Sequence, residues 1–306
     1  IEALAREDAR TQEASARRLS NRLLAINAAG VLLDWEEIDP VWRAEVTGLI
    51  KNLSAVLHDA DLELWLSVSP GDDLKFLDLE TLAEDVDRFV ATLFYESGEE
   101  DTPGPIASQP WWDQWLEVLL ANTDSAKWVA GIGSFGYDWE TDRPAMMIGF
   151  TDAMARARLA GAAAFEKVTP YYQPHFRYQA GGINHSVWFL DAITFHGQLR
   201  HALSDACAGI AIYRLGLEDP VIWRLLRNPE SSPQRVKSLH KSRQIAHIGR
   251  GAFLTPSESS GAGRRLVRTD DDGQWRAEYL SFPGVRLLAH DGAPDPYQVA
   301  LTFDDG

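Results

Sequence analysis

The run Val31-Leu32-Leu33-Asp34-Trp35-Glu36-Glu37 is apolar and then abruptly acidic, the pattern of a buried strand whose far end opens onto a polar site. Side chains two apart on a strand point the same way, so Asp34 and Glu36 share one face while Trp35 and Glu37 share the other. Two neighbouring carboxylates cannot both ionise cheaply. One pKa rises, and a carboxylic acid that keeps its proton near neutral pH can serve as a general acid. From the pattern alone, a solvated acidic loop after a strand is an equal alternative. Metal chemistry has less support. His196 and His201 are five apart on an expected helix and His240 and His247 seven apart in a polar stretch, so neither pair offers the i,i+4 face of a zinc-binding helix. They read as surface or hydrogen-bonded histidines. Cys207, the one cysteine, excludes an intramolecular disulfide framework and reads as a small core residue within an Ala-rich helix.

The elements that must position the acidic run alternate regularly. Residues 1–28 predict an amphipathic helix with Leu19, Leu23 and Ile26 on one stripe, ended by Gly30. A helix over Val41–His58 follows, then strands at Leu62–Ser69, Arg88–Tyr95, Lys127–Phe135, His185–Phe189 and Gly209–Leu215, with helices near Asp78–Asp87, Trp111–Ala121, Thr151–Ala164 and through Cys207. Trp111, Trp112 and Trp115 lie at helical spacing after Pro110 and read as a packed helix start. Strands separated by helices of this length imply right-handed βαβ units and a parallel α/β sheet, with the active site at the strands' C-terminal ends. About five such repeats precede residue 225. Beyond it the chain turns polar and loop-rich, and Arg264–Arg268 and Trp275–Leu280 around Asp271–Gly273 predict a hairpin.

A length of 306 residues with 45% hydrophobic content suffices for one large domain or two medium ones. The balance of 29 Lys+Arg against 45 Asp+Glu, a net charge of −16, argues against nucleic acid and anionic membrane surfaces as partners. Eleven tryptophans imply either a large core or stacking platforms for flat ligands such as sugar rings. No run of eighteen apolar residues predicts a membrane-crossing helix. No dinucleotide fingerprint follows a strand either, since Gly131-Ile132-Gly133 lacks its third glycine.

The acidic run resembles the tail of the glycoside hydrolase family 18 signature D-G-x-D-x-D-x-E. The last Asp falls on Asp34, the Glu on Glu36 and the Gly on Gly30, while the first two Asp positions hold Ala29 and Leu32. Leu93-Phe94-Tyr95-Glu96 resembles that family's M-x-Y-D. Gly104-Pro105-Ile106-Ala107-Ser108, Gly136-Tyr137-Asp138-Trp139, Val187-Trp188-Phe189-Leu190-Asp191 and Tyr213-Arg214-Leu215-Gly216 look like the branch typified by bacterial spore-cortex and germination hydrolases. The resemblance covers about residues 1–225. It implies a TIM (β/α)8 barrel of which about strands 4–8 are present, with strands 1–3 preceding Ile1, so that the fragment by itself is marginal and aggregation-prone.

The resemblance also implies roles. Such enzymes hydrolyse β-1,4-linked N-acetylglucosamine polymers, chitin-like or peptidoglycan-like, with retention. They use no cofactor, and the substrate's own 2-acetamido carbonyl replaces a protein nucleophile. Glu36 would be the acid/base, Asp34 would orient the acetamido group and Tyr95 would hydrogen-bond its oxygen. Glu96, Tyr137, Asp138, Trp188 and Tyr213 would line the sugar cleft, with Trp35 and Trp139 near it. Bland readings stand beside these: Tyr95 as a strand-end aromatic, Trp188 as core, Asp138 and Asp191 as helix N-caps, the last favoured for Asp191. The departures at Ala29, Leu32 and Glu96 keep open an inactive glycan-binding barrel.

The closing run Val299-Ala300-Leu301-Thr302-Phe303-Asp304-Asp305-Gly306 resembles the opening motif of polysaccharide deacetylases, the NodB-homology or carbohydrate esterase family 4 domain. There Asp304 would be the general base and Asp305 a ligand of a divalent metal such as zinc, bound only once the domain is complete. The expected organisation is a family 18-like barrel over 1–225, a linker and β-rich connector over 226–294, and the first strand of the deacetylase domain over 295–306. The two resemblances together imply the middle of a multidomain bacterial envelope protein acting on polysaccharide, an arrangement sometimes continued by a membrane glycosyltransferase that would anchor it at the cell envelope.

Overall fold

The structure, a computed structural model, describes residues 2–292 except 36–38, 72, 122, 142, 162–164, 167–169 and 230. Glu36, Asp304 and Asp305 lie outside the described residues. In chain order the strands are β1 Gly30–Leu33, β2 Glu63–Val68, β3 Arg88–Ala91, β4 Trp128–Gly133, β5 Gly136–Glu140, β6 Met146–Ile148, β7 His175–Ala180, β8 Ile183–Phe189, β9 Gly209–Tyr213, β10 Ser238–Leu239, β11 Ile245–Gly249, β12 Phe253–Glu258, β13 Gly263–Thr269, β14 Trp275–Ser281 and β15 Arg286–Asp291. The helices are α1 Glu2–Ala5, α2 Ala9–Ala25, α3 Arg43–His58, α4 Asp73–Phe76, α5 Leu79–Leu82, α6 Gln109–Leu120, α7 Phe150–Ala160, α8 Ala192–Ser204 and α9 Ile222–Arg227. Two compact units result: Ile1–Tyr95 with Pro110–Gly133 and Gln198–Tyr213, and Glu96–Gln109 with Ser134–Gly197 and Arg214–Gly306.

The first unit holds a five-stranded parallel sheet in the order β1-β2-β3-β4-β9. All six residues of β4 are buried, as a parallel strand covered on both faces requires. Helix α3 buries Val46, Leu49, Ile50, Leu53 and Leu57 along one stripe. Each such side chain contributes roughly 1.5–3 kcal/mol of transfer free energy. The expected helix over 1–28 is two: Asp8, extended at ψ 157°, accepts from the Thr11 amide at 2.9 Å and starts α2 afresh. The buried stripe of α2 is Gln12, Ala16, Ser20 and Leu23 rather than Leu19, Leu23 and Ile26, and Ile26 is exposed. Asn27, left-handed at φ 53°, ends it instead of Gly30. Gly30 has another reason to be glycine, because a Cβ there would lie 2.2 Å from the carbonyl oxygen of Glu63 on β2. The helix expected at Asp78–Asp87 shrinks to α5, and α8 stops at Ser204, so Cys207 lies beyond it rather than inside it. Burial and the Asp205 charge push the Cys207 thiol up to about 11.

The second unit carries an antiparallel sheet in the order β6-β5-β8-β7. The segment His185–Phe189, expected as a strand of the parallel sheet, belongs here. Its register is set by the hairpin at Gly181-Gly182, both left-handed (φ 57° and 78°), as a two-residue primed turn demands. The predicted hairpin forms as β13 and β14 and joins β10, while β11, β15 and β12 make a further sheet. Phe150 and Met154 of α7, Phe176, Phe189, Tyr279 and Phe282 share one core, so residues beyond 225 pack together with the 134–197 segment. Beside it Arg265, fully buried, donates from Nη1 to Asp191 Oδ2 at 3.1 Å and Asp219 Oδ2 at 2.8 Å, and from Nε to the Val236 carbonyl at 2.8 Å.

Candidate active site

Because the five strands of the first unit run parallel, the residues that follow them gather at one edge of the sheet. Asp34 follows β1, Ser69 follows β2, Thr92 and Tyr95 follow β3, and Tyr213 ends β9. Asp34 is exposed, and Leu32, two residues earlier on the same face, is 46% exposed. Strand β3 was expected to reach Tyr95 but ends at Ala91. The amides of Leu93 and Phe94 turn back onto the carbonyls of Ala91 and Thr92, at 3.1 and 3.0 Å, and so leave the ladder.

That turn drops the Phe94 ring into the core and leaves Tyr95 46% exposed. Phe94 stacks on Tyr213 (centroids 5.0 Å, planes 4° apart) and meets Tyr95 edge-on at 4.7 Å. Tyr95 and Tyr213 are thereby held 6.4 Å apart, ring to ring. Gly131 on β4 makes room, since a Cβ there would sit 2.1 Å from the Ala91 oxygen and 3.0 Å from the Phe94 ring. Next to it Ser69 and Thr92 hydroxyls bond at 2.7 Å, and Asp73 accepts from the Ser69 amide at 2.5 Å. An exposed carboxylate and anchored phenols at the C-terminal edge of a parallel sheet can orient and hydrogen-bond a polar substrate.

The other expected cleft residues belong to the second unit, and most of them are engaged. Glu96 accepts from the Ser108 amide at 2.6 Å and from its hydroxyl at 3.0 Å, closing the 96–108 loop; burial raises its pKa against those two bonds. Asp138 is 1% exposed and is no helix cap. Its Oδ2 takes Arg156 Nε at 2.7 Å and the Tyr178 hydroxyl at 2.9 Å, and its Oδ1 takes His185 Nδ1 at 2.9 Å. Burial would raise its pKa, but the His185 bond and the Arg156 charge outweigh it and hold the carboxyl below its usual range. Tyr137 is buried between Phe135 and Trp139, and Trp188 lies flat on His175 at 3.8 Å with Tyr171 against its edge. Both are packed rings rather than open platforms, because their faces and edges already have partners. Asp191 is the N-cap of α8, accepting from the Ile193 and Thr194 amides at 2.9 and 3.0 Å, and it is also an ion partner of Arg265.

Four arrangements escaped the sequence. His185 was read only as a strand residue, and its tie to Asp138 spans 47 positions. His247, grouped with His240 by spacing, bonds His290 instead at 3.0 Å across the parallel β11–β15 pair. His201 pairs with Asp113 at 2.9 Å, which raises its pKa, and His196 stacks on Trp275. The Gly181-Gly182 pair was the local signal that could have moved His185 into a hairpin.

No protein-family model matches the chain. It is similar to an uncharacterized glycosylase, YvbX, of Bacillus subtilis, 23% identical over 65% of this chain and 60% of that protein. It is also similar to a cortical fragment-lytic enzyme of Bacillus anthracis, 27% identical over 63% of this chain and 47% of that protein. The chain thus spans about half of the curated relatives it matches, 60% at the first and 47% at the next. Among solved structures it is similar to a chitinase from Chromobacterium violaceum (TM-score 0.65, 23% identity, 73% of this chain and 74% of that one) and to the spore cortex-lytic enzyme SleL of Bacillus cereus (TM-score 0.65, 22% identity, 73% and 54%). The fold is that of the chitinase-like α/β barrels, and the relatives and neighbours are of the glycoside hydrolase 18-like kind.

Proposed function

We propose that the chain carries a family 18-type glycosidase site that hydrolyses β-1,4-linked N-acetylglucosamine polysaccharide, chitin-like or peptidoglycan-like. The observation that carries this reading is the gathering of Asp34, Tyr95 and Tyr213 at the C-terminal edge of one parallel sheet. The names of the relatives, a glycosylase and a cortical fragment-lytic enzyme, support glycan hydrolysis. In this mechanism Glu36 protonates the glycosidic oxygen as the substrate's acetamido carbonyl attacks the anomeric carbon, and then deprotonates the water that opens the cyclic intermediate. Asp34 orients the acetamido N–H and Tyr95 its oxygen, so the attack is geometrically set before the bond breaks. The five parallel strands correspond to barrel strands 4–8 in this reading.

The deciding experiment compares the protein with its Glu36→Gln variant on N-acetylglucosamine oligomers. A loss of about 10²–10⁴-fold is expected for removal of a general acid. Equal release by both refutes the assignment. A second reading, a barrel that binds glycan without turnover, is favoured by Leu32, an exposed apolar side chain where the signature has an acid, and by Glu96, whose carboxylate is taken by Ser108. Oligomer binding with no release by either protein supports it.

The same reading puts Asp304 and Asp305 at the opening of a polysaccharide deacetylase domain acting at the cell envelope, with Asp305 as a metal ligand there. Among the described residues no group of three or more His, Cys, Asp or Glu could hold a metal ion, and no described helix is long and apolar enough to cross a membrane.

A further inference from the structure

The second unit has an open cleft of about 590 Å³ whose lining includes Glu99, Glu100, Asp101, Trp139, Asn184 and His185. Its wall is built and its rim is charged. His185 on β8 gives Nδ1 to the buried Asp138 carboxylate at 2.9 Å and stacks on Tyr178 at 4.4 Å, so ring plane and tautomer are both held. With Nδ1–H committed to Asp138, Nε2 is the ring's remaining polar atom. It has no partner among the described residues, and its side chain, 9% exposed, lines the cleft. Trp139, 4% exposed and also lining the cleft, has an indole N–H without an acceptor among the described residues. On the rim, Glu99, Glu100 and Asp101 are exposed and form no ion pair among the described residues, whereas Glu140 is taken by Arg143 and Arg250, and Arg177 by Glu166.

We propose that this cleft binds a sugar whose amine is free and protonated, a glucosamine unit, with a hydroxyl on His185 Nε2 and its ammonium on the Glu99–Asp101 rim. The sugar class rests on the glycan reading above, while the preference for a cation rests on the unpaired rim alone. Asp138 is a positioning residue, acting through His185.

The test is calorimetric titration of the full chain with a glucosamine tetramer and with an N-acetylglucosamine tetramer, at mildly acidic pH and low salt. The glucosamine tetramer binds about tenfold tighter, and a double variant, Glu99→Gln with Glu100→Gln, reduces that preference by about fivefold. His185→Ala weakens both oligomers by about tenfold, as loss of a ligand hydrogen bond does. Glu99 and Glu100 are exposed, so their double variant is expected to fold; His185 is 9% exposed and holds Asp138, so far-ultraviolet circular dichroism verifies the folding of each variant before titration. Equal affinity for the two oligomers, an undiminished preference in the double variant, or no binding of the glucosamine tetramer overturns the proposal. Hydrolysis of acetylated oligomers and its loss in Glu36→Gln are read separately, so failure here leaves that result untouched.

Discussion

Replacing Arg265 by Leu should be among the most damaging single changes in the second unit. The guanidinium is fully buried and lies 3.1 Å from Asp191 and 2.8 Å from Asp219, both also buried; burial opposes its charge, but the Asp219 and Asp191 carboxylates outweigh that and keep it protonated far above any working pH. Asp191 additionally receives the Tyr279 hydroxyl at 2.7 Å and the first amides of α8, and Asp219 receives the amides of Ala192 and Val221. Leucine fills much of the volume but leaves two carboxylates without a counter-ion in a dry interior. Breaking one buried ion pair this way costs about 3–5 kcal/mol. With a urea slope of about 2–3 kcal/mol/M, the midpoint should fall by roughly 1–2.5 M, read by tryptophan fluorescence. The orphaned charge, rather than lost packing, dominates this loss. Arg265→Leu combined with Asp191→Asn and Asp219→Asn should therefore recover part of the loss, since Asn can still cap α8. A triple variant no more stable than Arg265→Leu, or a single variant within about 1 kcal/mol of wild type, would refute this account.

Gly131→Ala should destabilise the first unit by about 1–3 kcal/mol through the clash with the Ala91 oxygen and the Phe94 ring, and should impair oligomer turnover because Phe94 anchors Tyr95 and Tyr213; thermal melting and a kcat measurement check both. Asp138 has a carboxyl held below its usual value, so its contribution is present above the unfolded value near 3.8 and is lost as pH falls through the lower folded one. In acid titrations Asp138→Asn should accordingly flatten the stability profile below about pH 4, whereas an unchanged profile contradicts the network. Cys207, with its thiol raised to about 11, should react with iodoacetamide far more slowly than a free thiol at neutral pH, measured by mass spectrometry of the folded chain.

Much of the first unit was legible because periodicity and local chemistry agree there. The apolar run before Asp34, the stripe of α3 and the uninterrupted burial of β4 are each written in neighbouring residues, and the parallel sheet follows from their spacing. The edge position of Asp34, Tyr95 and Tyr213 follows in turn from strand direction. What the local pattern could not supply was any fact that depends on residues far apart in the chain. His185–Phe189 has the composition of a barrel strand, and only its pairing with β5 and β7 makes it antiparallel. Asp138 and Trp188 look like binding residues when read singly. Tertiary structure closes them, because a lone buried carboxylate or an uncovered indole face is unfavourable and the fold supplies Arg156, His185 and His175 as partners. By itself the sequence determined the parallel α/β framework and the edge where chemistry can occur; the tertiary structure decided which polar side chains, Asp138, Asp191 and Arg265 among them, are spent on holding it together, because their partners lie far away in the chain.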